Sequence, residues 1–313
     1  MTEKPGVIFM GTPDFAVPTL RELHREGLAP QLVVTQPDRP KGRGRNPLAP
    51  PVKIAALELG CEVIQPDNMS DPELKERFGS LLPDFFVVVA YGHILSSPLL
   101  SIPRVAAINL HASLLPKYRG AAPIQRALID GETETGVTTI KMKPGMDTGD
   151  ILIARKVVIG PGDTSETLHD RLSVEGAALV IRTIREMQSG RITPIPQNPE
   201  EVTFAPMLKK EDGHIDWTMS ASRISNLIRG VTPWPGAFAF HKGRRLKIFA
   251  AAALPGSSTA AAGTVADSFP GELRVNTGDG ILKILEIQSA SGKRLQVQDF
   301  LRGYPLSPGD VLS

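Results

Sequence analysis

Asn109 and His111 stand two residues apart in the stretch NLHASLLPKYRG (109–120), directly after the apolar run AAI. Alternate positions on a strand project to one side, so an amide and an imidazole can address one point there. Asn offers a neutral N–H donor to a developing oxyanion, and His can donate or move a proton. The same spacing also fits two satisfied polar residues at a strand end, and a third group is needed to separate the readings. KPGMDTGD (143–150) supplies a candidate, a turn-rich loop after the strand-like VTTIKM, with Asp147 and Asp150 among glycines. A carboxylate beside His111 would favour imidazolium and orient the ring. Aspartates in Gly-rich loops also serve turn chemistry alone. Sequence leaves open whether Asp147 approaches His111.

GTPDFA (11–16) sits after the first apolar run, where a dinucleotide-binding fold carries its Gly-rich turn. Gly11 stands, but Pro13 and Ala16 replace the second and third glycines of G-x-G-x-x-G. A pyrophosphate would lack the close backbone approach that the second glycine allows, which disfavours a nicotinamide enzyme. Gly11 then serves a tight strand-to-helix turn or substrate binding. RPKGRGR (39–45) holds Arg39, Lys41, Arg43 and Arg45, spaced by Pro and Gly with no hydrophobic anchor. An exposed, mobile loop is expected, either reaching the phosphates of a nucleic acid or simply solvated.

The elements that must hold these groups follow from apolar periodicity. GVIFMG (6–11), QLVVTQ (31–36), CEVIQP, FFVVVAYG and AAINLH read as short buried strands. Val17 to Glu26 reads as a helix, as does PPVKIAALELG (50–60), which opens on Pro and closes at Gly60. This alternation predicts an α/β fold with a doubly wound, mostly parallel sheet, its ligand crevice at the carboxyl ends of the strands. The clearest helix spans 163–190, where Leu168, Leu172, Ile181, Ile184 and Met187 share a side. Asp163 or Thr164 can cap it and Gly190 closes it. His169 within it is expected to be a surface or packing histidine.

Four prolines in RITPIPQNPEEVTFAP (191–206) predict an extended linker. Beyond it, one short helix (220–230) and the runs AFAFH, RRLKIFA, ELRVNT and ILKILEIQ predict a smaller C-terminal antiparallel β-barrel, OB-like in type. AAALPGSSTAAAG (251–263) is expected to be a mobile loop, and Trp217 and Trp234 to sit in the core rather than stack on nucleotides. The expected domains are 1–190 and 208–313, joined by a linker at 191–207.

Composition agrees with two domains, since 313 residues exceed what one core usually supports. The single cysteine, Cys61, excludes an intramolecular disulfide framework and a thiolate metal site. MTEKPGVIFMG has no apolar stretch of signal-peptide type, and runs such as FFVVVA are too short to cross a bilayer. A soluble, cytoplasmic protein is expected. Residues 208–313 carry 13 Lys and Arg against 9 Asp and Glu, a balance of +4 in a chain of +2. That suits a polyanionic partner, although many solvated surfaces differ as much.

VIFMGTPDFAVPTL, TQPDRPKGRGR, NLHASLLPKYRGAAPIQRAL, GVTTIKMKPGMDTGD and KKEDGHIDW together make the chain resemble the methionyl-tRNA formyltransferase family along nearly its whole length. The NLHxSLLPxYRG block is shared with other enzymes that use 10-formyltetrahydrofolate. The basic loop and the KKEDGHIDW-led second domain look specific to the tRNA enzymes. The resemblance implies the formyltransferase variant of the Rossmann-type sheet over 1–190 and an OB-type tRNA-binding domain at 208–313. It implies Asn109, His111 and Asp147 as the catalytic amide, imidazole and carboxylate, and Ser113, Leu114, Leu115 and Pro116 as the folate-binding turn. Arg39, Lys41, Arg43 and Arg45 match the segment that enters the acceptor stem. The implied co-substrate is 10-formyltetrahydrofolate and the implied partner is initiator methionyl-tRNA. No metal, no membrane and a monomeric chain are expected.

Two other readings compete. A formyltransferase acting on glycinamide ribonucleotide or an amino-sugar nucleotide would share the first half, but not the basic loop or second domain. A tRNA-binding protein without catalysis would have no need of Asn109, His111 and Asp147 together.

Overall fold

The computed structural model describes residues 4–40, 47–256, 260–267 and 269–313. The chain forms two compact units that interleave in sequence. One comprises Met1–Gly120, Glu134–Val158 and His169–Phe204; the other Ala121–Thr133, Ile159–Leu168 and Ala205–Ser313. These differ from contiguous spans of 1–190, 191–207 and 208–313. Segments 121–133 and 159–168 group with the C-terminal part, and 191–204 with the first unit.

The first unit is built on strands β1 (Val7–Gly11), β2 (Leu32–Val34), β5 (Val63–Ile64), β6 (Phe85–Val89), β7 (Ala106–His111), β8 (Glu134–Lys141) and β9 (Asp150–Val158). A two-stranded hairpin, β3 (Arg39–Pro40) with β4 (Pro47–Leu48), stands apart from them. The sheet order is β5-β2-β1-β6-β7-β8-β9. It is parallel through β7, whereas β8 and β9 join antiparallel. Strands β1 and β6 are buried at every position, as expected for a sheet covered on both faces. Order reverses between β1 and β6, so the ligand crevice of such a fold lies at the carboxyl ends of these strands and of β7.

Helices α1 (Val17–Arg25), α2 (Pro51–Glu58), α3 (Pro72–Ser80) and α4 (Ser97–Leu100) follow the early strands. After α5 (Pro123–Ile129) comes α6 (Ser165–Gln188), the long helix foreseen from periodicity. Its cap is Thr164, whose hydroxyl accepts from Thr167 N while Thr167 Oγ1 accepts from Thr164 N. Leu172, Ile181 and Ile184 are buried, and a Cβ at Gly176 would fall 2.5 Å from Leu110 Cδ2, so this helix lies directly on β7. His169 is a packing histidine, edge-on to Phe15 and bonded to Asp170.

In the second unit, β10 (Ala237–His241), β11 (Arg244–Leu254), β12 (Leu273–Asn276), β13 (Ile281–Ser289) and β14 (Leu295–Gln296) form an antiparallel sheet. Isolated bridges join its two edges: Val265 to Val275, Thr264 to Val311, and Leu312 to His241. The sheet thus curls around a core that includes Leu246, Ile248, Leu282, Ile284 and Trp217, with Ile224 and Ile228 of α7 (Ala221–Val231). Helix α8 (Val297–Gly303) adds Phe300.

Two expectations are corrected here. Ala251–Leu254 are not loop: they extend β11 and pair with Ile281–Ile284 of β13, whose aliphatic side chains supply the packing that alanine lacks. Residues 257–259 of the expected loop lie outside the described residues. Trp217 is in the core, but Trp234 is 53% exposed, held between Pro233 and Pro235 on the turn from α7 to β10.

Candidate active site

The crevice is shaped first by the turns that leave β1 and β6. A Cβ at Gly11 would lie 2.8 Å from Ala16 Cβ and 3.0 Å from Val89 O, so glycine is needed there for close packing. Thr12 Oγ1 and Gln36 Nε2 each donate to Tyr91 O at 3.0 Å, which fastens the turn after β6 to those after β1 and β2. The Tyr91 phenol points inward, donating to Met69 Sδ at 3.0 Å, and burial pushes it up to about 12.

Strand β7 then delivers Asn109 and His111. Antiparallel β8 sets them opposite Ile140 and Thr138. Asn109 is half-buried, and its side-chain amide makes no hydrogen bond among the described residues. His111 is 6% exposed. Its Nε2 lies 2.9 Å from Tyr118 O, and because a carbonyl only accepts, Nε2 carries a proton. Its Nδ1 lies 3.6 Å from Asp147 Oδ1, just beyond direct hydrogen-bond reach. An acceptor oxygen thus faces each ring nitrogen.

Asp147 is the carboxylate that reaches the ring; Asp150 instead bonds Lys143 Nζ at 2.6 Å. Asp147 adopts φ +54°, a left-handed conformation that Asp tolerates better than most residues. Its Oδ2 accepts from Gly120 N at 2.9 Å. Two residues later a Cβ at Gly149 would fall 2.1 Å from Lys141 O, so only glycine brings this loop back so close to β8.

The sequence reading missed the groups that brace these loops. Gln197 Nε2 donates to Asp147 O and to Gly149 O, both at 2.7 Å. Its Oε1 accepts from Arg119 Nε at 3.0 Å and Nη2 at 2.7 Å. Thr203 adds two more ties: its Oγ1 accepts from Tyr118 N and its carbonyl from Arg119 N. The stretch expected to be an extended linker is thus tied to the loops around Arg119 and Asp147, and Ile195 pairs with Ile151 besides. Only the isolated polar residues between its prolines hinted at this.

The turn 113–117 is pinned to β8 through Thr138, whose hydroxyl donates to Ser113 O at 2.7 Å and accepts from Leu115 N at 3.2 Å. Ser113 Oγ closes the turn onto Lys117 O, and the Leu115–Pro116 bond is cis. Ser113 and Leu115 are buried. Leu114 and Pro116, half-buried, are the members of this set with surface left for a ligand. Leu114 lies over Gly136, where a Cβ would come within 2.5 Å of its Cδ2.

Of the expected basic set, Arg39 opens the β3–β4 hairpin and is exposed. Lys41, Arg43 and Arg45 lie outside the described residues. The hairpin base is anchored by Asp38, held below the usual carboxylate range by hydrogen bonds from Lys53 and Gln65.

Known proteins share both the fold and the sequence. Residues 5–184 match the formyl transferase family and residues 207–305 the formyl transferase C-terminal domain. The methionyl-tRNA formyltransferase of Thermodesulfovibrio yellowstonii is 50% identical over 304 residues, 97% of each chain. That of Geotalea uraniireducens is 48% identical over 306 residues, 98% of this chain and 97% of its own. Among solved structures, the N-formyltransferase of Helicobacter canadensis, bound to folinic acid and dTDP-3-aminofucose, superposes with a TM-score of 0.67 at 18% identity. It covers 93% of this chain and 100% of its own. Glycinamide ribonucleotide transformylase 1 from Symbiobacterium toebii superposes with a TM-score of 0.52 at 20% identity, over 62% of this chain and 96% of its own. The solved structures share the fold, whereas identities of 48% and 50% along 97% or more of each chain, with both family models matched in order, settle the group: the chain belongs to the methionyl-tRNA formyltransferase family.

Proposed function

We infer that the chain transfers the formyl group of 10-formyltetrahydrofolate to the α-amino group of initiator methionyl-tRNA, giving N-formylmethionyl-tRNA for translation initiation. The observation that carries the catalytic part is the placing of Asn109, whose amide has no hydrogen bond among the described residues, two positions along β7 from an imidazole set between Tyr118 O and Asp147.

An α-amino group has a reference pKa near 7.7–8.0, so a useful fraction is neutral without a strong base. The barrier lies in the charge-separated tetrahedral intermediate formed when that nitrogen adds to the formyl carbon. Bound 10-formyltetrahydrofolate supplies the formyl carbon on N10. Asn109 donates to the oxyanion. His111 Nδ1 makes no direct hydrogen bond among the described residues and faces Asp147 Oδ1 at 3.6 Å, so its proton is the one free to turn between Asp147 and the oxyanion. Asp147 balances the imidazolium and helps carry the proton from the attacking nitrogen to N10, after which the bond from the formyl carbon to N10 breaks. Leu114 and Pro116 form an apolar wall that suits a flat folate ring and keeps water from the formyl group.

The basic segment from Arg39 to Arg45 and the +4 balance of residues 208–313 support tRNA as the acceptor's carrier. One chain carries Asn109, His111 and Asp147 together, as a monomeric enzyme requires. Charged initiator tRNA places the work in the cytoplasm.

The deciding assay follows labelled formyl from 10-formyltetrahydrofolate to charged initiator tRNA, with glycinamide ribonucleotide as a parallel acceptor. Label on methionyl-tRNA alone is expected. Label on the ribonucleotide alone would keep the chemistry of Asn109 and His111 but overturn the acceptor, and label on neither would leave a binding protein.

A further inference from the structure

Between Ile195 and Glu201 six residues are exposed, and Gln197 alone turns partly inward. No apolar side chain from that run anchors it. Its hold is polar: the Ile195 backbone pairs with Ile151, and the ties to Arg119, Asp147 and Gly149 all pass through one amide.

That amide is fully used. The two hydrogens of Nε2 go to two carbonyls, Asp147 O and Gly149 O, at 2.7 Å each. Oε1 takes both contacts from the Arg119 guanidinium, 3.0 Å from Nε and 2.7 Å from Nη2. A guanidinium only donates and a carbonyl only accepts, so the orientation of the amide is determined by its partners. The four bonds tie together two loops that approach His111 from opposite nitrogens. Arg119 is flanked by Tyr118, whose carbonyl meets Nε2, and by Gly120, whose N–H meets Asp147 Oδ2. On the other side Asp147 itself faces Nδ1.

We propose that Gln197 is a positioning residue for formyl transfer, acting through Asp147. By holding the carbonyls of Asp147 and Gly149 against Arg119, it fixes the left-handed turn at Asp147 and sets its carboxylate against the imidazole. Displacement of a catalytic group by about 1 Å can cost on the order of a hundredfold in rate. The inference rests on the formyl-transfer reading above and on Asp147 belonging to the reacting site.

The test compares Gln197→Ala and Gln197→Glu with the wild-type chain in formyl transfer to methionyl-tRNA, and follows hydrogen exchange of the Gly120 amide. Gln197→Ala should lower kcat roughly ten- to a hundredfold, with KM for both substrates within about threefold, because the bonds it breaks orient Asp147 and not a substrate. Gln197→Glu keeps the volume and the acceptor for Arg119 but sets one carboxylate oxygen against two carbonyls, and should lose as much. On an Asp147→Asn background Gln197→Ala should cost less than about threefold more, since residues acting as a unit are not additive. The Gly120 amide should exchange at least about tenfold faster in Gln197→Ala, as loss of an orienting bond loosens its partner. Wild-type kcat in either single variant, or a full additive loss in the double variant, would overturn the proposal. Should the wild-type chain itself fail to formylate methionyl-tRNA, the functional reading falls, and Gly120 exchange alone decides: an unchanged rate overturns the tie, a faster one upholds it.

Discussion

Replacing Asp147 by Asn removes the charge beside His111 and leaves the shape of the site almost intact. The amide oxygen can still accept from Gly120 N, as Oδ2 does at 2.9 Å. Its NH2 then faces Nδ1 of the ring, where the carboxylate stood at 3.6 Å. An N–H aimed at Nδ1 pairs with an unprotonated nitrogen, while Tyr118 O keeps the proton on Nε2. The ring is thereby fixed as the neutral tautomer, with no Nδ1 proton for an oxyanion. Asp147 is only 14% exposed, so water takes over little of the carboxylate's part at the ring, and kcat should fall by roughly 10²–10³. Single-turnover formyl transfer with both substrates saturating isolates the chemical step. A thermal melt beside the wild-type chain checks the fold. A loss under tenfold with the melt unchanged would mean that Asp147 merely shapes a turn for Gly120, and the carboxylate would leave the mechanism.

Gly136→Ala would put a Cβ 2.1 Å from Arg155 O and 2.5 Å from Leu114 Cδ2. A loss of about 1–3 kcal/mol in urea unfolding and a raised KM for 10-formyltetrahydrofolate should result; a KM equal to wild type would detach Leu114 from folate binding. The Tyr91 phenol, lifted to about 12, favours the fold fully below its unfolded value near 10, and that contribution is lost as pH rises from about 10 to 12. Tyr91→Phe should lose about 2–3 kcal/mol less than wild type across that window, and equal losses in the two proteins would disprove the assignment. Arg43→Ala should raise KM for tRNA and reduce the salt slope of binding by about 1, whereas an unchanged slope marks a loop that is only solvated.

Much of the site was legible because alternation along a strand is a local property. Asn109 and His111 needed only the run before them to place them at the mouth of a parallel sheet. Choosing Asp147 over Asp150 was beyond reach of spacing, since it depends on a left-handed residue and on Gly149 passing within contact of Lys141 O. Gln197 was hidden for a related reason: its partners lie 48 to 78 residues away, and proline-rich sequence looks alike whether free or fastened. Ala251–Leu254 misled through composition, as alanines carry little strand preference of their own and follow what β13 offers them.

The interleaving of the two units bears on how such a chain can be recombined. Helix α5 belongs with the C-terminal unit because Gly230 of α7 lets it lie close, with Ile129 Cγ1 only 2.6 Å from where a Cβ would stand. A cut at residue 205 therefore does not yield an interchangeable cassette. A grafted C-terminal half would arrive without 121–133 and 159–168, its native lining, and would have to accept those of the recipient. Grafts between relatives should succeed when the bare position at 230 and the bulk at 129 travel as a matched pair, which makes that contact a compatibility lock on chimeras of this family.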